Sequence, residues 1–432
     1  MVDDIDPGKE EGIYQAISLA RELDLNAADF PEREFEIYRL LREYLPIART
    51  EMPGSGILEG ESKLGWFLSR DEDVNYVFRQ PELFSSKMGF DFIPQAVDPP
   101  EHTEYRKILN PMFSQDEMTP LEPHIQEFAS ELLDKMLTKD EFDFVKEFAE
   151  PFPTIIFCQL MGFPLEDYPK LMRWTNIFIH SSTAGKAEEF GLEAADEEGR
   201  PAPEAVRELM VSAGAEVYAY FGGLIEERRK NPGDDIVTEL VQARYEGDRP
   251  LADDELFKIL HLLMLAGLDT VTSSLSYIML YLAEHPDKRS EFIELMDDPA
   301  RVGPAVEEMV RFTAIVSPAR RVTEDCPYRG LQFHEGDVVI LSTPSANRDP
   351  RVFENPDEMI FDRHPNPHVG FAVGPHRCLG MHLARRELRI ALQEIHRRMP
   401  EYTIAPDKKP EIYGGGVKGV TSLHLAVQQA SS

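Results

Sequence analysis

Cys378 stands in the segment Phe-Ala-Val-Gly-Pro-His-Arg-Cys-Leu-Gly, residues 371–380, which runs straight into a helical pattern beginning at Met381. Gly374, Pro375 and Gly380 bend the backbone tightly, and the helix that follows turns its free amides back toward the sulfur. Those amides, with His376, Arg377, Arg385 and Arg386, are expected to favour a thiolate over a thiol. Any fold of this chain must therefore deliver a polarised sulfur to the start of a helix.

A thiolate of this kind can be a redox nucleophile, a zinc ligand or an axial ligand to haem iron. A small buried hydrophobe in a loop is the plainest alternative. No second cysteine lies within five residues, which removes the usual partner of a structural zinc site. The spacing of Phe371, Gly374, Cys378 and Gly380 resembles the haem-binding loop of the cytochrome P-450 family. That resemblance implies a mainly α fold with a smaller β region and haem b between a long central helix and the Cys-loop helix. It makes Cys378 the axial ligand that pushes electron density onto iron, with Phe371 over the sulfur and Gly380 where the backbone approaches the cofactor.

Apolar residues make up 42% of the chain, enough for a large core, and a formal net charge of −33 argues against a broad nucleic-acid face. Three widely spaced cysteines, Cys158, Cys326 and Cys378, fit a reducing cytosol better than a disulfide framework. The N-terminus lacks a signal-peptide pattern, and no window reaches the ~20 apolar residues that span a bilayer. A cytoplasmic, membrane-free monomer is expected. Residues 1–30, acidic and weakly patterned, are expected to form a mobile arm before a single catalytic domain over 31–432.

Asp98-Pro99-Pro100-Glu101 reads as a helix start with Asp98 as its cap. His102 and Arg106 follow four apart and share a face. A solvated pair is the plain alternative; the resemblance makes them ligands to the haem propionates, together with Arg320 and His376. The longest helical pattern runs from Asp253 to Glu284 and is apolar nearly all round in its middle, so it should pass through a core. Gly267 costs that helix about 1 kcal/mol relative to Ala, and Asp269 is costly if buried alone. Such exceptions mark function. Ala266-Gly267-Leu268-Asp269-Thr270 resembles the family's oxygen-binding kink, which implies that the small residues leave room over the iron while Asp269 and Thr270 pass protons. A hydroxyl bonded back to its own helix is the plain alternative for Thr270. Glu308 and Arg311, with Arg363, resemble the family's structural lock.

Further local patterns are a hairpin over Tyr328–Ser342 turning at His334–Asp337, an acidic lid over 175–203 with Ile177, Phe178 and Ile179 at its edge, and a glycine turn at 414–417 dipping toward the substrate. Phe90, Leu262, Leu265, Ile315, Val316 and Val417 are the expected pocket lining, and all are apolar. Within the family the motifs look closest to camphor hydroxylase-type enzymes, although Phe90 stands where those carry a tyrosine. The resemblance implies insertion of one atom of O2 into a C–H bond of a small hydrophobic, terpenoid-like molecule. Electrons would come from NAD(P)H through a reductase and a [2Fe-2S] ferredoxin docked at Arg106, Lys107 and Arg377, with Arg385, Arg386 and Arg389 adding positive charge. An aromatic or fatty substrate, or a haem-binding sensor that oxidises nothing, are the alternatives.

Overall fold

The longest apolar pattern folds as one uninterrupted helix, Asp253–Glu284, in a computed structural model that describes residues 7–51, 64–89, 91–183, 187–197 and 199–427. Its C-terminal half packs Leu275, Ile278 and Met279 against Phe144, Phe148 and Phe152 and against Leu388 and Leu392 of the Cys-loop helix, Met381–Arg398. Its N-terminal half packs Leu260, Met264 and Leu268 against Phe157, Trp174 and Phe221. Apolar residues on every side need partners on every side, which is why helices surround it. Among the described residues it is the one helix long and apolar enough to cross a membrane, and 61% of that apolar stretch is buried inside the protein.

A five-stranded sheet, in the order Ile47–Glu51, Leu64–Leu68, Val338–Leu341, Ala319–Val322, Phe84–Ser85, flanks the helical layers and sets the backbone of Arg320. The expected hairpin around 334–337 is corrected here. The turn falls at Arg329 and Gly330, with φ of 50° and 79°, and joins Cys326–Tyr328 to Leu331–Phe333. Left-handed conformation at both turn residues matches the twist of paired strands. Val338–Leu341 is buried throughout, so it leaves the hairpin and lies between two other strands, parallel to Leu64–Leu68 and antiparallel to Ala319–Val322.

Residues 7–21, expected within a mobile arm, form a helix whose Ala16 and Ala20 are buried with Ile37, Tyr38 and Leu41 of the helix Phe30–Tyr44. Four-residue spacing of small apolar side chains gives that helix a packing face. The Leu25 carbonyl then lies 2.1 Å from where a Cβ on Gly414 would stand, so the glycine turn meets the N-terminal segment rather than opening wholly to a pocket. Glu308 and Arg311 are fully buried, joined at 2.7 and 2.8 Å, and Arg363 adds two bonds of 3.0 Å to the same carboxylate. This triad holds the segment leading to the Cys loop.

Candidate active site

The Cys378 amide donates to the Phe371 carbonyl at 2.9 Å, closing the loop on itself. Ala372 and Gly374 take positive φ, 53° and 76°, and a Cβ on Gly374 would stand 2.5 Å from the Phe78 carbonyl oxygen. Glycine is required there by both conformation and approach. Leu379 packs on the cluster that holds Leu265 and Leu268, and Phe371 on the one that holds Val271 and Leu275, so loop and central helix share their cores. The expected bias toward a thiolate is overturned in the protein alone. Burial pushes the Cys378 thiol up, against the Gly380 amide and the charges of Arg106, Arg385 and Arg377. A charged sulfur here needs a cation in direct contact.

Beside the loop, the rings of His102 and His376 lie with centroids 4.1 Å apart, tilted by 44°, and Nε2 of each is buried without a partner among the described residues. Burial pushes His102 down to about 4 and His376 to about 2, so both rings are neutral. Burial also lowers Arg320 to about 10 and depresses Arg106, whose Nη1 donates to the Arg377 carbonyl at 2.9 Å. Orphaned donors between two desolvated guanidinium groups fit two carboxylates such as the haem propionates. The helix carrying His102 and Arg106, Glu101–Met112, starts after Pro100 rather than at Asp98. The Asp98 carboxylate instead accepts from Ser85 Oγ at 2.5 Å and Ser86 N at 2.8 Å.

On the central helix Thr270 Oγ1 donates to the Ala266 carbonyl at 2.8 Å, the back-bonded arrangement. Asp269 is 5% exposed, with Oδ1 3.0 Å from His180 Nε2 and Oδ2 buried and unpaired among the described residues. Helical assignment runs unbroken through 266–270, the stretch where the resemblance implies a kink. The side of Gly267 on which a side chain would stand faces Phe157. A Cβ there would meet the Phe157 ring at 2.5 Å, and the exposed residue of the turn is Ala266.

Among the expected pocket residues, Phe90 lies outside the described residues. Val316 and Val417 form a β-bridge, and Lys418 N donates to the Ile315 carbonyl at 3.0 Å, so these segments are brought together. Leu262, Leu265 and Ala266 share one helix face, part-buried or exposed. Phe178 touches His261, which sits edge-on between it and Phe92 at 4.6 and 5.0 Å, while Ile177 turns into the core. His180, His261 and Tyr413 escape sequence reasoning; an isolated histidine in an apolar run is the one signal His261 offers.

The expected positive surface is smaller than the sequence implies. Arg385 is paired with Glu307, Arg386 and Arg389 with Glu122, and Lys107 with Glu104 at 2.7 Å, which leaves Arg377 as the exposed cation of the loop.

The cytochrome P450 family model matches residues 72–297 and 303–414. The polyketide biosynthesis cytochrome P450 PksS of Bacillus subtilis is 32% identical over 93% of this chain and 97% of its own length. Its solved structure covers 94% of this chain and 100% of its own, with a TM-score of 0.80 at 31% identity. Mycinamicin IV hydroxylase/epoxidase of Micromonospora griseorubida is 33% identical over 84% of this chain and 87% of its own length. The crystal structure of CYP109E1 from Bacillus megaterium in complex with testosterone covers 92% of this chain and 99% of its own, with a TM-score of 0.78 at 28% identity. Similarity of this extent, falling on a chain whose buried imidazoles and arginines fit propionates beside a loop cysteine, makes the protein a member of the cytochrome P450 family of haem-thiolate monooxygenases.

Proposed function

We propose that this enzyme inserts one atom of O2 into a C–H bond of a hydrophobic, terpenoid-like molecule, with haem b as cofactor and NAD(P)H electrons delivered by a reductase and a [2Fe-2S] ferredoxin. The observation that carries this is an ionisable side chain, Asp269, buried one residue before Thr270 on the helix that shares its core with the Cys378 loop. Cys378 would hold haem at the iron and His102, Arg106, Arg320 and His376 at its carboxylates, and the bound group would supply the oxygen activation.

The remaining work belongs to the chain. Asp269 takes a proton on its free oxygen and passes it toward the Thr270 hydroxyl, whose own hydrogen rests on the Ala266 carbonyl. Leu262, Leu265, Ile315, Val316 and Val417 exclude water and select by shape rather than by hydrogen bonds. Ferredoxin docking rests mainly on Arg377, flanked by Arg106 and the paired Lys107, with local attraction overriding the net charge of −33 within a Debye length. The testosterone complex of CYP109E1 supports a polycyclic terpenoid-type skeleton. PksS, named for polyketide biosynthesis, favours a polyketide as the second reading. A cytoplasmic monomer fits three free cysteines.

Titration of the haem-loaded ferric protein with camphor, testosterone, a macrolide lactone and myristic acid tests the assignment through displacement of the sixth-ligand water. Testosterone or camphor should give the larger spectral shift, followed by hydroxylated product with NADH and a ferredoxin pair. A reduced carbonyl adduct absorbing as a histidine-ligated haem, or NADH use indifferent to all four compounds, would overturn it.

A further inference from the structure

Three histidines keep a buried Nε2 with no hydrogen-bond partner among the described residues: His102, His376 and His261. A cofactor's carboxylates account for the first two. His261 is placed differently, on the central helix one residue before Leu262 and four before Leu265, at the edge of the apolar face that the proposed function gives to the substrate. Its ring meets two aromatic rings edge-on: Phe178, from the helix Tyr168–His180, at 4.6 Å, and Phe92, from the loop before the helix Glu101–Met112, at 5.0 Å. Lys258, one turn earlier on the central helix, pairs with Asp91 at 2.6 Å and so ties that loop to the helix beside His261. Three separate elements thus enclose one imidazole. Burial pushes it down to about 4, so the ring is neutral at working pH. An apolar site gains nothing from such a ring by itself, because a buried polar atom left unpaired costs free energy that a leucine would not.

We propose that His261 is the polar anchor of the substrate pocket, its Nε2–H donating to a carbonyl or hydroxyl oxygen on an otherwise hydrophobic molecule. The apolar lining selects by shape, and His261 adds one hydrogen bond to that selection. Its place on the helix also sets the length of the molecule. Ala266 follows His261 by five residues and Thr270, the hydroxyl of the proposed proton transfer, by nine. At 1.5 Å per residue this is about 7–14 Å along the axis. A substrate gripped at His261 and oxidised beside Ala266 and Thr270 must therefore carry its oxygen about that far from the reacting C–H bond. A steroid skeleton spans this distance; camphor, with every carbon a few bonds from its ketone, does not. The inference rests on the proposed function and narrows its substrate class to elongated terpenoid-type molecules with an oxygen at the end remote from oxidation.

Two ligands that differ by one oxygen, 5α-androstan-3-one and 5α-androstane, test the anchor on the haem-loaded ferric enzyme. Binding is measured by equilibrium dialysis and, in parallel, by displacement of the sixth-ligand water. His261→Leu should weaken the ketone about fivefold to tenfold, the worth of one neutral hydrogen bond, and leave the hydrocarbon bound at least as well as in the parent. His261→Gln, which keeps an N–H donor, should recover part of that loss. Haem content and the carbonyl spectrum should match the parent in both variants. An equal loss for the two ligands in His261→Leu would mean that the ring only fills space, and no loss for either would remove it from the pocket; both results overturn the anchor and leave the terpenoid-like reading standing. If camphor binds the parent and neither steroid does, the anchor falls alone. If none of the three binds, the terpenoid-like reading fails and the anchor falls with it.

Discussion

Gly267 is held against Phe157: a side-chain carbon added to the glycine would stand 2.5 Å from ring atoms Cδ2 and Cε2. The glycine that weakens the central helix is there to let the helix Pro151–Met161 approach it. Gly267→Ala should therefore destabilise the enzyme by about 1–3 kcal/mol of overpacking, reduced by about 1 kcal/mol of helix propensity. Thermal unfolding of Gly267→Ala beside Gly267→Ala/Phe157→Leu checks this. The double variant should recover most of the loss, and equal midpoints for the two would show that the ring is not the obstacle.

Thr270→Ala removes a hydroxyl bonded, among the described residues, to its own helix at Ala266. Stability should stay within about 0.5 kcal/mol of the parent. Haem loading and ligand-induced spectra should persist, while more of the NADH electrons end as hydrogen peroxide. Product formed per NADH, measured with peroxide, decides the matter; an unchanged ratio would sink the proton-delivery role.

Glu387, 2% exposed on the Cys-loop helix, is pushed by burial from 4.5 to about 8. The folded protein therefore keeps a proton that the unfolded chain releases between those two values. Stability must decline as pH rises through that window, because the native state binds more protons there. Glu387→Gln keeps the shape without the titration. Its melting temperature should exceed the parent's at pH 8, with the gap closing toward pH 5; parallel curves across that range would contradict the assignment.

Arg377→Glu reverses the exposed cation of the Cys loop. Ferredoxin-dependent reduction should slow about tenfold at low salt, and its salt dependence should flatten. Lys107→Glu should act more weakly, because Lys107 is already paired with Glu104. Stopped-flow reduction across ionic strength measures both, and equal rates for Arg377→Glu and parent would place docking elsewhere.

The Cys378 loop, the central helix and the pairing of Glu308 with Arg311 are legible in the sequence because each rests on neighbours a few residues apart. Turn glycines, unbroken apolar periodicity and i,i+3 spacing need no knowledge of the rest of the chain. His102, Arg106, Arg320 and His376 are legible through family resemblance, not through spacing alone. Tertiary structure alone decided that Val338–Leu341 joins the large sheet, that Gly267 answers to Phe157, and that burial outweighs the arginines at Cys378. It also decided the partner of Asp269, since His180 lies 89 residues away and Tyr413 lies 233 residues beyond His180. Short-range patterns encode which groups are costly to bury; which distant group meets them depends on how the helices and strands pack.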